Sequence, residues 1–143
     1  MAQITKDADS VTLVLNGHAF TSFGVGDIMT LTHVNPHTSQ VNSSDGGVTI
    51  NRRSDGNVYD LTMTIQKFSE DDVFMNEIVN ASAPTILEGS LKEDFVRDGT
   101  DGQESWTLEG GSITTKPTNT KNDTDGNATM EYTVRFRNAK RAL

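Results

Sequence analysis

The sequence contains no cysteine in its 143 residues. That absence excludes a disulfide framework, a thiol nucleophile, a zinc–thiolate site and an iron–sulfur cluster. Long apolar runs are missing too, since nothing approaches the roughly 18 consecutive apolar residues of a membrane-spanning helix. The opening Met1–Asp7 has neither the basic start nor the apolar segment of a secretory signal. The expectation is a soluble protein made in a cytoplasm, with no membrane partner. Basic residues are short, 12 Lys and Arg against 20 Asp and Glu, for a formal net charge of −8. Tight wrapping of nucleic acid works by neutralising phosphates with Lys and Arg, so this balance argues against it. It does not argue against nucleic acid that only passes by. Hydrophobic residues make up 34%, which is modest for an isolated core in a chain whose length fits one domain. A chain of this kind often completes its burial against copies of itself.

What is present is β structure. In Tyr59–Gln66 the positions Tyr59, Leu61, Met63 and Ile65 are apolar, and Asp60, Thr62, Thr64 and Gln66 are polar. In Met130–Arg137 one face is Met130, Tyr132, Val134 and Phe136, and the other is Glu131, Thr133, Arg135 and Arg137. Such alternation predicts strands with one buried and one wet face, as in antiparallel sheets. Further strands are expected at Val11–Leu15, Ile28–Val34, Val48–Arg52, Thr85–Leu91, Gln103–Leu108 and Ser112–Thr115, and the 19 threonines suit a pleated surface. One helix is expected at about 69–81. Ser69 is its N-cap, Glu70-Asp71-Asp72 its acidic first turn, and Phe74, Met75, Ile78 and Val79 its apolar face, with Pro84 limiting the far end. Residues 35–57 predict a protruding hairpin, and 116–128 a polar loop too long for a tight connection. The charge is uneven: residues 61–100 carry 3 basic and 8 acidic side chains, whereas the final segment ends in a local basic patch, Arg135, Arg137, Lys140 and Arg141.

No catalytic or metal motif survives inspection. His33 and His37 are four apart, but Pro36 breaks any helix that would align them. Asn122–Gly126 resembles half of a calcium loop, with Lys121 and Tyr132 where the anchoring ligands belong. Asp98–Gly102 reads as a turn of the same kind, and Gly24-Val25-Gly26 as a bend without a following helix. No nucleophile elbow, phosphate loop or dinucleotide fingerprint occurs. The expectation is a non-enzyme with no cofactor and no metal.

A small threonine-rich β-domain with one helix, long polar loops and no site fits a structural subunit. The order of its elements resembles the tail tube proteins of long-tailed bacteriophages, particularly the short single-domain type of contractile tails. Four features carry the resemblance: the V-x-L-x-L-N-G-H-A-F segment Val11–Phe20; the hairpin region 35–57; the strand Tyr59–Phe68 running straight into the capped helix; and the Glu109–Ile113 turn, followed by the polar loop and the C-terminal strand with its basic end.

The resemblance implies an antiparallel β-sandwich or half-barrel with one flanking helix. Its sheets would join across subunits into a ring barrel, and six-fold rings would stack into a tube. The whole chain, 1–143, is then one domain with an N-terminal arm 1–10 and a C-terminal tail 138–143. Its partners are copies of itself, with sheath, tape measure and baseplate proteins, and DNA only in transit. Its place is a virion tail assembled in the host cytoplasm. The residues expected at subunit contacts are Asp45, Val48, Ile50, Arg52, Arg53, Arg135, Arg137, Lys140 and Arg141. Those expected to face the lumen are Thr62, Thr64 and Gln66, which are uncharged and cannot clamp phosphates. An acidic wall repels DNA and lets it slide. Arg135 and Arg137 are expected to face the acidic 69–98 region of a neighbour rather than the bore.

Three alternatives stay open. Bacteriocin and type VI secretion tubes share the fold without carrying a genome. A tail terminator or capsid decoration protein would be oligomeric without polymerising lengthwise. A β-sandwich binding module would want exposed aromatics in its loops, whereas the long loops here hold none and Trp106 and Tyr132 sit at apolar strand positions.

Overall fold

A computed structural model describes residues 2–6, 10–24, 28–119 and 128–143. Among them the chain forms, in order, β1 (Ile4–Thr5), β2 (Val11–Leu15), β3 (His18–Ala19), β4 (Met29–His33), β5 (Thr38–Asn42), β6 (Val48–Arg52), β7 (Tyr59–Gln66), α1 (Glu70–Val79), β8 (Leu87–Arg97), β9 (Thr100–Thr115) and β10 (Thr129–Ala142). Eight strands make one antiparallel sheet in the order β3-β2-β8-β9-β10-β7-β4, with β1 beside the far end of β8. The fold is therefore mainly β with one helix, and the sheet is not a closed barrel. The candidate calcium loop and the larger part of the polar loop 116–128 lie outside the described residues, as do Val25 and Gly26 of the G-x-G bend.

The sheet curls until its two ends share a core. Leu13 and Leu15 of β2 cluster with Leu61, Met63 and Ile65 of β7, although three strands separate them in the sheet. Residues 20–24 stitch the ends together. Phe20 N–H donates to the Leu13 carbonyl, Gln66 N–H to Ser22, and Gly24 N–H to Thr64. Alternation decides which side chains meet inside: Leu61, Met63, Ile65, Val134 and Phe136 are fully buried, and the residues between them point away. Each such side chain contributes about 1.5–3 kcal/mol by leaving water.

Two expectations are corrected. The Glu109–Ile113 turn is instead continuous strand. Gly110, at φ +63°, absorbs a bulge where the register against β8 shifts, and Gly111 is buried with its Cα against the Phe136 ring. Of the turn expected over Asp98–Gly102, Asp98 and Gly99 form it, both with positive φ, and Thr100–Gly102 already belong to β9. The weaker candidates after residue 85 thus fuse into strands of 11 and 16 residues. The segment 138–143, expected as a C-terminal tail, is also strand as far as Ala142. Ala139 is buried, and its N–H donates to the Asn57 carbonyl.

The helix stops at Val79, with Asn80 as its C-cap. The Ser69 hydroxyl accepts from Asp72 N–H, and the Asp72 carboxylate reaches back to the N–H of Phe68, one residue earlier than a capping box would. Two acids of the first turn also fasten the helix to the sheet. Asp71, 1% exposed, accepts from the Thr21 and Ser22 N–H groups at 2.9 and 2.7 Å and lies 2.8 Å from His18 Nε2. The Tyr132 hydroxyl donates to Asp72 at 2.6 Å. Burial, and then the Asp72 carboxylate, push the Tyr132 hydroxyl well above the usual phenol range.

Candidate assembly surface

The hairpin β5–β6 stands apart from the main sheet as a separate two-stranded unit. All ten of its strand residues are exposed. Its register places Val48, Ile50 and Arg52 on one face, opposite Asn42, Gln40 and Thr38. The turn is built locally. The Asp45 carboxylate accepts from Gly47 N–H at 3.0 Å and from the Ser43 hydroxyl, and Gly46 takes φ +88°. The Ser43 hydroxyl, then the Gly47 N–H, hold the Asp45 carboxyl below its ordinary value. Asp45 thus shapes the turn. At the base, Arg53 grips Asp55 through two nitrogens at 3.0 and 3.1 Å, and the Arg53 N–H donates to the His37 carbonyl. His33 closes the neighbouring strand end by hydrogen bonding the Gly56 carbonyl at 2.6 Å. That bond places the His33 ring at the end of its strand. No cluster of metal-ligating side chains exists among the described residues.

The second surface is the face of β4, β7 and β10 that turns away from the core. Register puts Thr30 beside Thr62, Thr62 beside Thr133, and Thr64 beside Glu131. The Thr62 and Thr133 hydroxyls lie 3.4 Å apart. Thr62 and Thr64 are half-buried and Gln66 is exposed. Arg135 sits on this face, but its guanidinium is bound to its registered partner Asp60 at 2.8 and 3.0 Å. The arginine holds the Asp60 carboxyl below the usual carboxylate range. The far edge of β4 pairs with no strand among the described residues, so this face ends at an open edge.

The basic C-terminal segment divides in the same way. Arg141 is paired with Glu104 at 2.6 Å. Arg137 and Lys140 are exposed and have no ion-pair partner among the described residues. The expected contact residues therefore fall into two sets. Asp45, Arg53, Arg135 and Arg141 have partners in their own chain; Val48, Ile50, Arg52, Arg137 and Lys140 face outward. Sequence reasoning missed Asp71 and Phe68. The first turn of a helix commonly carries acids, so only the approach of residues 21–22 reveals Asp71 as buried. Phe68 is apolar by sequence yet 84% exposed.

The sequence matches no protein-family model, and no curated protein matches it. Solved structures do. One is the anti-feeding prophage cap, the AFP tube terminating cap, at a TM-score of 0.68 and 9% identity, over 99% of this chain and 93% of that one. Another is a chain of the PVC sheath-tube complex of an extracellular contractile injection system in its extended state. That match has a TM-score of 0.66 and 8% identity, over 97% and 92%. A third, to the AFP baseplate, has a TM-score of 0.50 and 10% identity, over 92% and 90%. The fold is that of contractile injection system components. At these identities the likeness shows the injection-system fold and nothing finer. No helix among the described residues is long and apolar enough to cross a membrane.

Proposed function

We propose that this chain is a non-enzymatic structural subunit of a phage tail tube. Copies join edge to edge into six-fold rings, and the rings stack into a hollow tube inside a sheath. The observation that carries this reading is the β5–β6 hairpin, whose strand residues are all exposed and which pairs with no other strand among the described residues. An isolated hairpin is marginal in water, and a neighbouring subunit supplies the cover it lacks. The open edge of β4 adds a second point of attachment. The threonine face around Thr62 and Thr64 lines the bore. Arg135, expected instead to meet a neighbour's acidic 69–98 region, stands on that same face, and Asp60 of its own chain offsets its charge as DNA slides past.

Negative-stain images of the concentrated protein test the proposal, with open-ended hollow tubes the expected outcome. Single closed rings would favour a second reading, a tube-terminating cap, which the likeness to the AFP cap supports. Monodisperse monomers would overturn both. The likeness to an extracellular injection system favours a different cargo in the same tube. Nuclease-protected DNA in purified particles would support DNA transit, and protein cargo without DNA would overturn that part alone.

A further inference from the structure

We propose that the two ends of α1 form the complementary halves of one head-to-tail contact between copies of this chain. The ring of Phe68 in one copy seats in the cavity at the C-terminal end of α1 in the next. The inference rests on the reading of the chain as a self-assembling subunit and specifies one of its contacts.

Phe68 is an outlier twice over. Its backbone lies in the left-handed region at φ +68°, where a bulky side chain is rare. The other described non-glycine residues with positive φ are Asn16 and Asp98, types that tolerate this conformation. The Phe68 side chain gains little within its own chain in return. It is 84% exposed, and among the described residues its ring meets the Lys67 ammonium, 5.5 Å from its centroid. A strained position that holds an aromatic ring out into water points to a partner that covers the ring.

The opposite end of the helix carries a matching hollow. A cavity of about 330 Å³ lies between the end of α1, the 81–85 segment and β9, lined among others by Ile78, Val79, Ala83, Pro84, Ile113 and Lys116. The last turn of α1 has no basic residue, whereas its first turn is acidic. A neighbour's Lys67, whose ammonium also donates to Asn119 of its own chain at 2.6 Å, arrives beside Phe68 near the helix C-terminus, where a cation is favoured. Glu70, two residues on, then stands opposite Lys116. Both are exposed, and neither has an ion pair among the described residues.

Ring and hollow are separated by a ten-residue helix, about 15 Å long, so one copy cannot fill its own cavity. A contact joining different patches of two copies is heterologous, and its repetition gives a ring or a filament.

The absence of cysteine makes the test clean. In the double variant Glu70→Cys/Ala83→Cys, Phe68 is kept. The two thiols are too far apart in one chain for a disulfide, which needs Cα atoms within about 7 Å. Oxidation of the assembled protein is expected to give a ladder of covalent multimers that collapses under reductant, with nothing beyond dimers for either single variant. Phe68→Gly relieves the backbone and removes the ring. Its monomer is expected to melt at or above the wild-type temperature, while the concentration needed for assembly rises at least tenfold. If the wild type assembles but the double variant gives no ladder, or Phe68→Gly assembles like wild type, this contact is overturned and the tube reading stands. If the wild type never assembles, both fall together.

Discussion

Strands β6 and β7 carry the same kind of sequence and meet opposite fates. Val48 and Ile50 alternate with Thr49 and Asn51, much as Leu61, Met63 and Ile65 alternate with Thr62 and Thr64. Yet Leu61 and Ile65 are completely buried, and Ile50 is 66% exposed. The difference lies in the neighbours. β7 sits between β10 and β4 with α1 packed nearby, whereas among the described residues β6 pairs only with β5. An alternating pattern says that one face wants cover. It does not say whether the same chain provides it.

The comparison can be broken from either side, and the largest effect is expected in the main sheet. Phe136→Ala should cost about 3–5 kcal/mol, as a fully buried aromatic truncated to alanine does. A loss below about 1 kcal/mol in denaturant unfolding would mean that the sheet does not close on a packed core. Asp71→Ala should come next at about 2–3 kcal/mol, because it leaves the part-buried Thr21 and Ser22 N–H groups and His18 without their acceptor. Loss of helical circular dichroism ahead of the sheet signal would locate the damage at the seating of α1.

Smaller effects belong to the exposed surfaces. Asp60→Asn should cost on the order of 0.5–1 kcal/mol, the pair with Arg135 being partly solvated. Its folded-state carboxyl is depressed, so its contribution is complete above the unfolded value near pH 4. That contribution fades as pH falls through the lower folded value. The wild type should therefore lose more stability on acidification than Asp60→Asn; identical acid limbs would show that the pair contributes nothing. Smallest for the monomer is the double substitution Val48→Ser/Ile50→Ser, expected within about 0.5 kcal/mol of wild type, as at exposed sites generally. The same variant should fail to form tubes in negative stain. Normal tubes would remove the hairpin from the assembly surface.

Much of this division was legible in the residues. The alternation of Tyr59–Gln66 and Met130–Phe136 announced the two strands at the heart of the sheet, and Ser69 with three following acids announced the helix. Less visible was the length of β8 and β9. In Lys92-Glu93-Asp94 charges interrupt the pattern, and the strand is held there by its cross-strand ladder rather than by burial. The Gly110-Gly111 pair reads locally as a turn, and only the crowding of Phe136 against Gly111 shows why a bulge replaces it. Among the candidate contacts, charge alone could not separate Arg135, held by Asp60, from Arg137, exposed two residues further along the same strand.

The sequence by itself determined that this is a cysteine-free, acidic, mainly β chain with one capped helix, because composition, periodicity and capping act over a few residues. Tertiary structure decided which of the polar and apolar faces were already spent. Pairing Arg135 with Asp60, burying Asp71 and leaving Val48, Ile50 and Phe68 in water all depend on which distant segments the curl of the sheet brings together.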